Sequence, residues 1–384
     1  MNIMSKTSRD MRMSAKKYIV MVGPSIRSHG GIASVVMSWK SAGLFERWPI
    51  TYLETHVEGT KIDKLRVGIS ALLHFLFLLG SNRVACVHLH VARRISFWRK
   101  SVFALAAIVL RRPVLLHIHS GGFPAFFYQE CNWLQKRFIR FILGQADQLI
   151  VLSKVWHEIL RSISTNRRIT VIENFVALPA QVPDDAARSK HHILFLGLLN
   201  RDKGFYDLLE AIAPLCEEFP SLMLVCGGTG NQDEVLERIR QLRLDNHVNL
   251  LGWTSGQSKD AWLSRASFFV LPSYVEGMPM GILEAMAWGL PVVSTKIGGI
   301  PDVIEEGREG ILIDPGDIAG LRDAMHQLLR NDEARGRMGL AARSKVDREF
   351  SAGAIMPRVD HLYEEYCEKR IEPSDVPCLT SRKG

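Results

Sequence analysis

Twelve short runs of β-branched and aliphatic residues recur along the chain, and each is followed by a stretch with helical periodicity or by a turn. Strand runs that alternate with helices mark βαβ units, because parallel neighbours need a crossover of a dozen or more residues. In the first half the runs are residues 18–23, 50–55, 84–90, 113–119, 148–153 and 168–174. Residues 179–191, PAQVPDDAARSKH, then break the pattern with prolines, acids and small residues. A second series follows at 192–197, 222–228, 247–252, 267–273, 291–295 and 310–315. The expected fold is α/β, with two Rossmann-like doubly wound domains facing a central cleft. The expected parts are a flexible segment 1–17, a first domain 18–180, a linker 181–191 and a second domain 192–345. A C-terminal helix within 346–370, expected to cross back to the first domain, and a flexible tail 371–384 complete the chain.

The linker also separates two charge regimes. Residues 1–190 hold 27 Lys/Arg against 11 Asp/Glu, and the remainder 21 against 29, so the halves face different partners. Six scattered cysteines with no CxxC spacing argue against a metal site or a disulfide framework and favour a reducing cytoplasm. The basic start runs straight into a strand without an apolar signal region, so no signal peptide is expected. Two apolar stretches, 67–80 and 97–110, fall short of the roughly 18–20 residues of a spanning helix and read as core helices of the α/β layer. Arg93, Arg94, Arg99, Lys100, Arg111 and Arg112 bracket the second of them. That pattern suits a peripheral enzyme on an anionic membrane, and equally a core helix with solvated charges.

In doubly wound sheets ligands sit beyond the carboxyl ends of the strands, so the loops there are the candidate chemistry. After the first strand, Gly30 and Gly31 open a helix whose first-turn amides a phosphate or sugar could approach, although a glycine turn without ligand fits as well. After the fourth, strand alternation puts His117 and His119 on one side, and His119 stands nearer the cleft. Arg201 and Lys203 follow the first strand of the second domain beside a helix start, where they suit a diphosphate. YVEGMPMGILEA, 274–285, joins a buried strand to a helix. The amides of Gly281 and Ile282 would meet a phosphate, Glu284 a ribose diol, and Glu276 the group beyond the phosphates.

The Gly-Gly loop, the histidine after the fourth strand, the RDKG loop and EGMPMGILEAMAWGLPVVSTKIGGIPDVI together resemble the retaining glycosyltransferases of family 4, which have the GT-B fold. HGGIASVV and GLLNRDKGFYDLLEA look most like bacterial members that build exopolysaccharide or lipid-linked sugars. The resemblance implies a nucleotide-sugar, UDP- or GDP-linked, held by the C-terminal domain, and a lipid-linked or oligosaccharide acceptor held by the N-terminal one. It implies no bound metal and no cofactor beyond the donor itself. His119 and Glu276 correspond to the catalytic positions at the donor sugar, Gly30 and Gly31 to the loop near the phosphates, Arg201 and Lys203 to the diphosphate cations, and Glu284 to the ribose ligand. Leu198 stands where many members have Arg, and Asp302 where Glu is commoner. A GT-B epimerase would want further acid/base carboxylates in the cleft, a Rossmann dehydrogenase lacks its GxGxxG fingerprint, and the basic half lacks the interleaved aromatics of a nucleic-acid motif. No nucleic-acid partner is expected, and the site of action is cytoplasmic, peripheral to the inner membrane face.

Overall fold

The structure, a computed structural model, describes residues 17–367 except 29, 58, 185 and 186, so the expectations for 1–17 and 371–384 fall outside the described residues apart from Lys17. All twelve runs form strands. β1 Tyr18–Gly23, β2 Ile50–Glu54, β3 Val84–Val91, β4 Val114–Ile118, β5 Gln148–Val151 and β6 Ile169–Val171 make one sheet in the order β2-β1-β3-β4-β5-β6. β7 His192–Leu196, β8 Met223–Gly227, β9 Val248–Gly252, β10 Phe268–Leu271, β11 Val292–Thr295 and β12 Gly310–Ile313 make the other in the order β12-β11-β10-β7-β8-β9. Every pairing is parallel, as helices on both faces of each sheet require. Strand order reverses between β1 and β3 and between β7 and β10, and the crevice at such a switch point is where open α/β sheets bind ligands.

The helices over the first sheet start from identifiable caps. Thr60 accepts from the Asp63 amide while Asp63 accepts from the Thr60 amide, a capping box that opens helix Lys61–Leu79. Asn132 and Gln135 do the same for helix Trp133–Gln145. The reading of 67–80 as a core helix holds for one face only: helix 61–79 buries Ala71, Phe75 and Leu79 and turns Leu73, Leu76 and Phe77 outward. A helix in the outer layer has a single face against the sheet, and this one is apolar on both.

The last described helix packs on the first domain. Helix Ala352–Glu364 places Ile355, Val359 and Tyr363 in one core with Ile19, Met21 and Trp39 of the first domain. Trp48 Nε1 donates to Asp360 Oδ1 at 2.7 Å, and its ring meets Tyr363 edge-on at 5.6 Å. The five described cysteines are free and buried. Among the described residues no helix is long and apolar enough to cross a membrane.

Candidate active site

Between the carboxyl ends of the two sheets lies a cavity of about 420 Å³ with walls from both domains. On the first-domain wall, Gly30 caps helix Gly31–Ser41 without any side-chain cap, so its first-turn amides face the cavity unblocked. A methyl group on Gly30 or Gly31 would meet nothing within 4 Å, so packing does not require glycine here. Farther along, Gly121 packs so tightly on the main chain of Glu276 that a Cβ would lie 2.0 Å from its carbonyl. Bare backbone at this point lets the two walls meet.

His119 follows β4 and lines the same cavity. Its amide donates to Val91 O at 2.9 Å, and its Nε2 lies 2.8 Å from His90 Nδ1. Behind it, His88 bonds the Tyr363 hydroxyl at 2.7 Å and His117 at 3.3 Å, so four imidazoles from adjacent parallel strands form a ladder under Trp39. Burial pulls the His88 pKa down to about 3 and holds His90, His117 and His119 below the ordinary value, so the ladder is neutral. His88, His90 and His117 each bring a ring nitrogen within 4.8 Å of the others. Several of these nitrogens are taken up inside the protein: His88 Nε2 with His117 Nδ1, His88 Nδ1 with the Tyr363 hydroxyl, and His90 Nδ1 with His119. His90 is the hydrogen-bonded support of His119, with the His88 and His117 rings packed behind it.

The second-domain wall is charged. Lys203 Nζ sits 2.5 Å from Glu276 Oε1, which also accepts from the Ser273 hydroxyl at 2.9 Å. Glu276 is only 8% exposed, whereas Lys259 and Glu284 form a second pair at 2.6 Å nearer solvent. Helix Met280–Ala287 begins at Pro279 without a side-chain cap, and its first intrahelical bond starts at the Leu283 amide. Gly281 and Glu284 line the cavity, while the Ile282 side chain is fully buried in the domain core, so only its amide could serve a ligand.

Arg201 is the clear departure from the expected site. It does not line the cavity but a neighbouring groove, where it lies over the Tyr206 ring at 5.9 Å. Residues 201–203 form one 3₁₀ turn, in which positions two apart diverge by about 240°, so Lys203 faces inward and Arg201 outward. The cation that sequence reasoning missed is Lys259. It closes the first turn of helix Gly256–Arg265, which has no acid there, and a cation beside the positive end of a helix is the unfavourable choice that signals a ligand or partner. Polar contacts that hold the walls together include Arg93 to Asp202 at 2.9 Å, the Asn174 side-chain amide to Met278 O at 2.8 Å, and the Lys154 amide to Asp302 at 3.0 Å. Asp302 thus caps helix Lys154–Ile163 of the opposite domain.

Comparison with known proteins agrees with this architecture. Residues 30–178 match the model of Glycosyltransferase Family 4, and residues 190–331 that of Glycosyl transferases group 1. The chain is 26% identical over 301 residues to 2-deoxystreptamine N-acetyl-D-glucosaminyltransferase of Niallia circulans, covering 73% of this chain and 76% of that one. It is 26% identical to N-acetyl-alpha-D-glucosaminyl L-malate synthase of Bacillus anthracis, over 59% of this chain but only 61% of that one. Among solved structures, sucrose-phosphate synthase of Thermosynechococcus elongatus superposes with a TM-score of 0.77 at 20% identity, over 91% of this chain and 99% of the other. HepE of Anabaena in complex with UDP-glucose gives 0.72 at 18% identity, over 91% and 99%. With one glycosyltransferase model on each domain and a cleft between two parallel sheets, the chain belongs to the glycosyltransferases of GT-B fold.

Proposed function

We propose that the protein transfers a sugar, with retention of anomeric configuration, from a UDP- or GDP-linked donor to a lipid-linked or polysaccharide acceptor, in bacterial surface or exopolysaccharide synthesis at the cytoplasmic membrane face. The observation that carries this reading is the pair of lysine–carboxylate contacts on one wall of the cavity, Lys203 with Glu276 and Lys259 with Glu284. A diphosphate entering between them shares both ammonium groups and the uncapped amides of helix 280–287, which together neutralise the leaving group without a metal ion. Glu284 then faces the ribose, and Glu276 the donor sugar, where its charge steadies a cationic transition state. Exposed Leu198 and Trp253 line the same cavity and offer apolar surface to a nucleoside.

Among the described residues that line the cavity, the carboxylates are Asp202, Glu276 and Glu284, all from the second domain. The acceptor side presents His119, whose basicity burial has lowered. An inverting displacement wants a strong base on that side, so this distribution favours retention. A thermal-shift panel of UDP- and GDP-sugars tests the donor, since a ligand at 100 times its Kd adds about 2.7 kcal/mol. NMR of the anomeric proton in the product tests the stereochemistry. No shift with any nucleotide-sugar, or an inverted product, overturns the corresponding part.

A further inference from the structure

Helix 61–79 carries an exposed apolar stripe. Ile62, Leu65, Ile69, Leu73, Leu76 and Phe77 are 41–79% exposed, and at 100° per residue they fall within about 120° of arc, opposite the buried Ala71, Phe75 and Leu79. Two further helices of the same layer repeat the pattern. Helix Ile95–Val109 packs against helix 61–79 and exposes Ile95, Val102 and Val109 along one line. Helix 133–145 packs against helix 95–109 and exposes Trp133, Leu134 and Phe141. A soluble monomer seldom leaves contiguous apolar surface of this extent uncovered.

The charges choose the occupant. Residues 61–140 hold 13 Lys/Arg and two Asp/Glu. Arg66 and Arg137 are exposed and lie within the stripes of helices 61–79 and 133–145, where a long side chain can lie along apolar surface and keep its charge at the edge. The cations first expected to do this are only partly suited to it. Lys100 is buried and donates to Thr55, Arg93 pairs with Asp202 at the cleft, and Arg94 pairs with Glu130.

We infer that the three-helix face formed by 61–79, 95–109 and 133–145 docks on an anionic lipid bilayer, lying in the interface without crossing it. Apolar stripes that carry Arg66 and Arg137, which pair with no acid among the described residues, and an exposed tryptophan are the combination that partitions into the headgroup boundary, and none of these helices is long and apolar enough to span. A second copy of the chain fits less well, since two such faces would bring like charges together. Helices that follow β-strands begin at the ligand end of the sheet, so one border of this face adjoins the cleft and gives a lipid-borne acceptor a short route to it. The inference names the surface for the membrane site proposed above and rests on that reading.

Flotation of the full chain with vesicles tests it without any sugar transfer, so failure here and failure of the transferase reading are distinguishable. Vesicles of phosphatidylglycerol with phosphatidylcholine should carry the protein upward at low salt, and pure phosphatidylcholine should carry much less. The triple variant Leu65→Ser, Leu73→Ser, Phe77→Ser should lose about tenfold or more in partitioning, with an unchanged melting temperature because these side chains are already exposed. The variant Arg66→Gln, Arg137→Gln should retain its fold and lose most of the preference for anionic vesicles. No flotation with anionic vesicles at low salt overturns the inference, as does binding equal to wild type in both variants. A wild-type dimer in sedimentation velocity that the triple variant abolishes also overturns it, by giving the face to a second copy.

Discussion

The two domains share a fold and differ in where they leave their apolar residues and their charge. Among the described residues, the second domain exposes four large hydrophobic side chains, and two of them, Leu198 and Trp253, line the cleft. The first domain exposes sixteen, most of them on three neighbouring helices. Inside the cleft the contrast runs the other way. The second-domain wall carries Lys203, Lys259, Glu276 and Glu284, whereas the first-domain wall presents glycines, the neutral His119 and a single charged side chain, Arg93, which is paired with Asp202 across the cleft. Both domains offer a ligand crevice at a strand-order reversal, but most of the charge around the cavity comes from one of them. A common fold therefore sets the place of a site and leaves its chemistry to a few side chains.

The sharpest way to break this contrast is Glu276→Gln. If the reacting charge sits on the second-domain wall, turnover at saturating donor should fall by about 10²–10³-fold while donor binding survives. Near-normal turnover would move the chemistry elsewhere. Next in size, Lys203→Ala and Lys259→Ala should each weaken nucleoside-diphosphate binding by about 1.5–3 kcal/mol in titration calorimetry. Arg201→Ala should change it by under about 0.5 kcal/mol, because that guanidinium faces away from the cavity. Equal losses for Arg201 and Lys203 would show that the 3₁₀ turn rearranges around the donor.

The neutral histidine ladder has its own test in pH. Burial holds His88 at about 3, and His90 and His117 well below their ordinary 6.5. Below about pH 6.5 the unfolded chain takes up these protons and the folded chain does not, so stability is full above that pH and falls as the pH drops towards 3. Each buried histidine contributes about 1.4 kcal/mol per pH unit to the slope. Urea unfolding of wild type and His117→Asn should differ in slope by about half a proton at pH 6.5, approaching one proton near pH 5.5. Identical slopes would mean that His117 is protonated in the folded protein. The smallest effect is expected at an exposed leucine of the second domain that lies away from the cleft. Leu340 is 75% exposed, and Leu340→Ser should alter stability by no more than about 0.5 kcal/mol and leave vesicle binding unchanged.

Much of the candidate site's lining is legible in the sequence. Glu276, Glu284, Lys203, Gly281, Gly30, Gly31 and His119 are scattered over 255 positions of sequence, from 30 to 284, and the structure gathers all of them around one cavity. They could be read because each follows a strand, and strand ends in parallel sheets converge on a crevice. Lys259 and the outward turn of Arg201 were not legible, because which way a side chain leaves a short turn depends on the turn type and on what packs beside it.

The sequence by itself determined the twelve strands, the two sheets and the division between them, since alternating β-branched runs and helices with short connections admit few other arrangements. Tertiary structure alone decided which apolar residues are core. The stretch 67–80 looks uniformly buried as a string, yet a helix laid on a sheet buries only one side, and the direction of that side was settled by Ala71, Phe75 and Leu79 meeting the layer beneath. It also decided that Lys100, which reads as a surface cation, lies inside the first domain against Thr55. Periodicity follows from local backbone geometry and is written along the chain. Burial depends on neighbours distant in sequence, and it exists only once they have met.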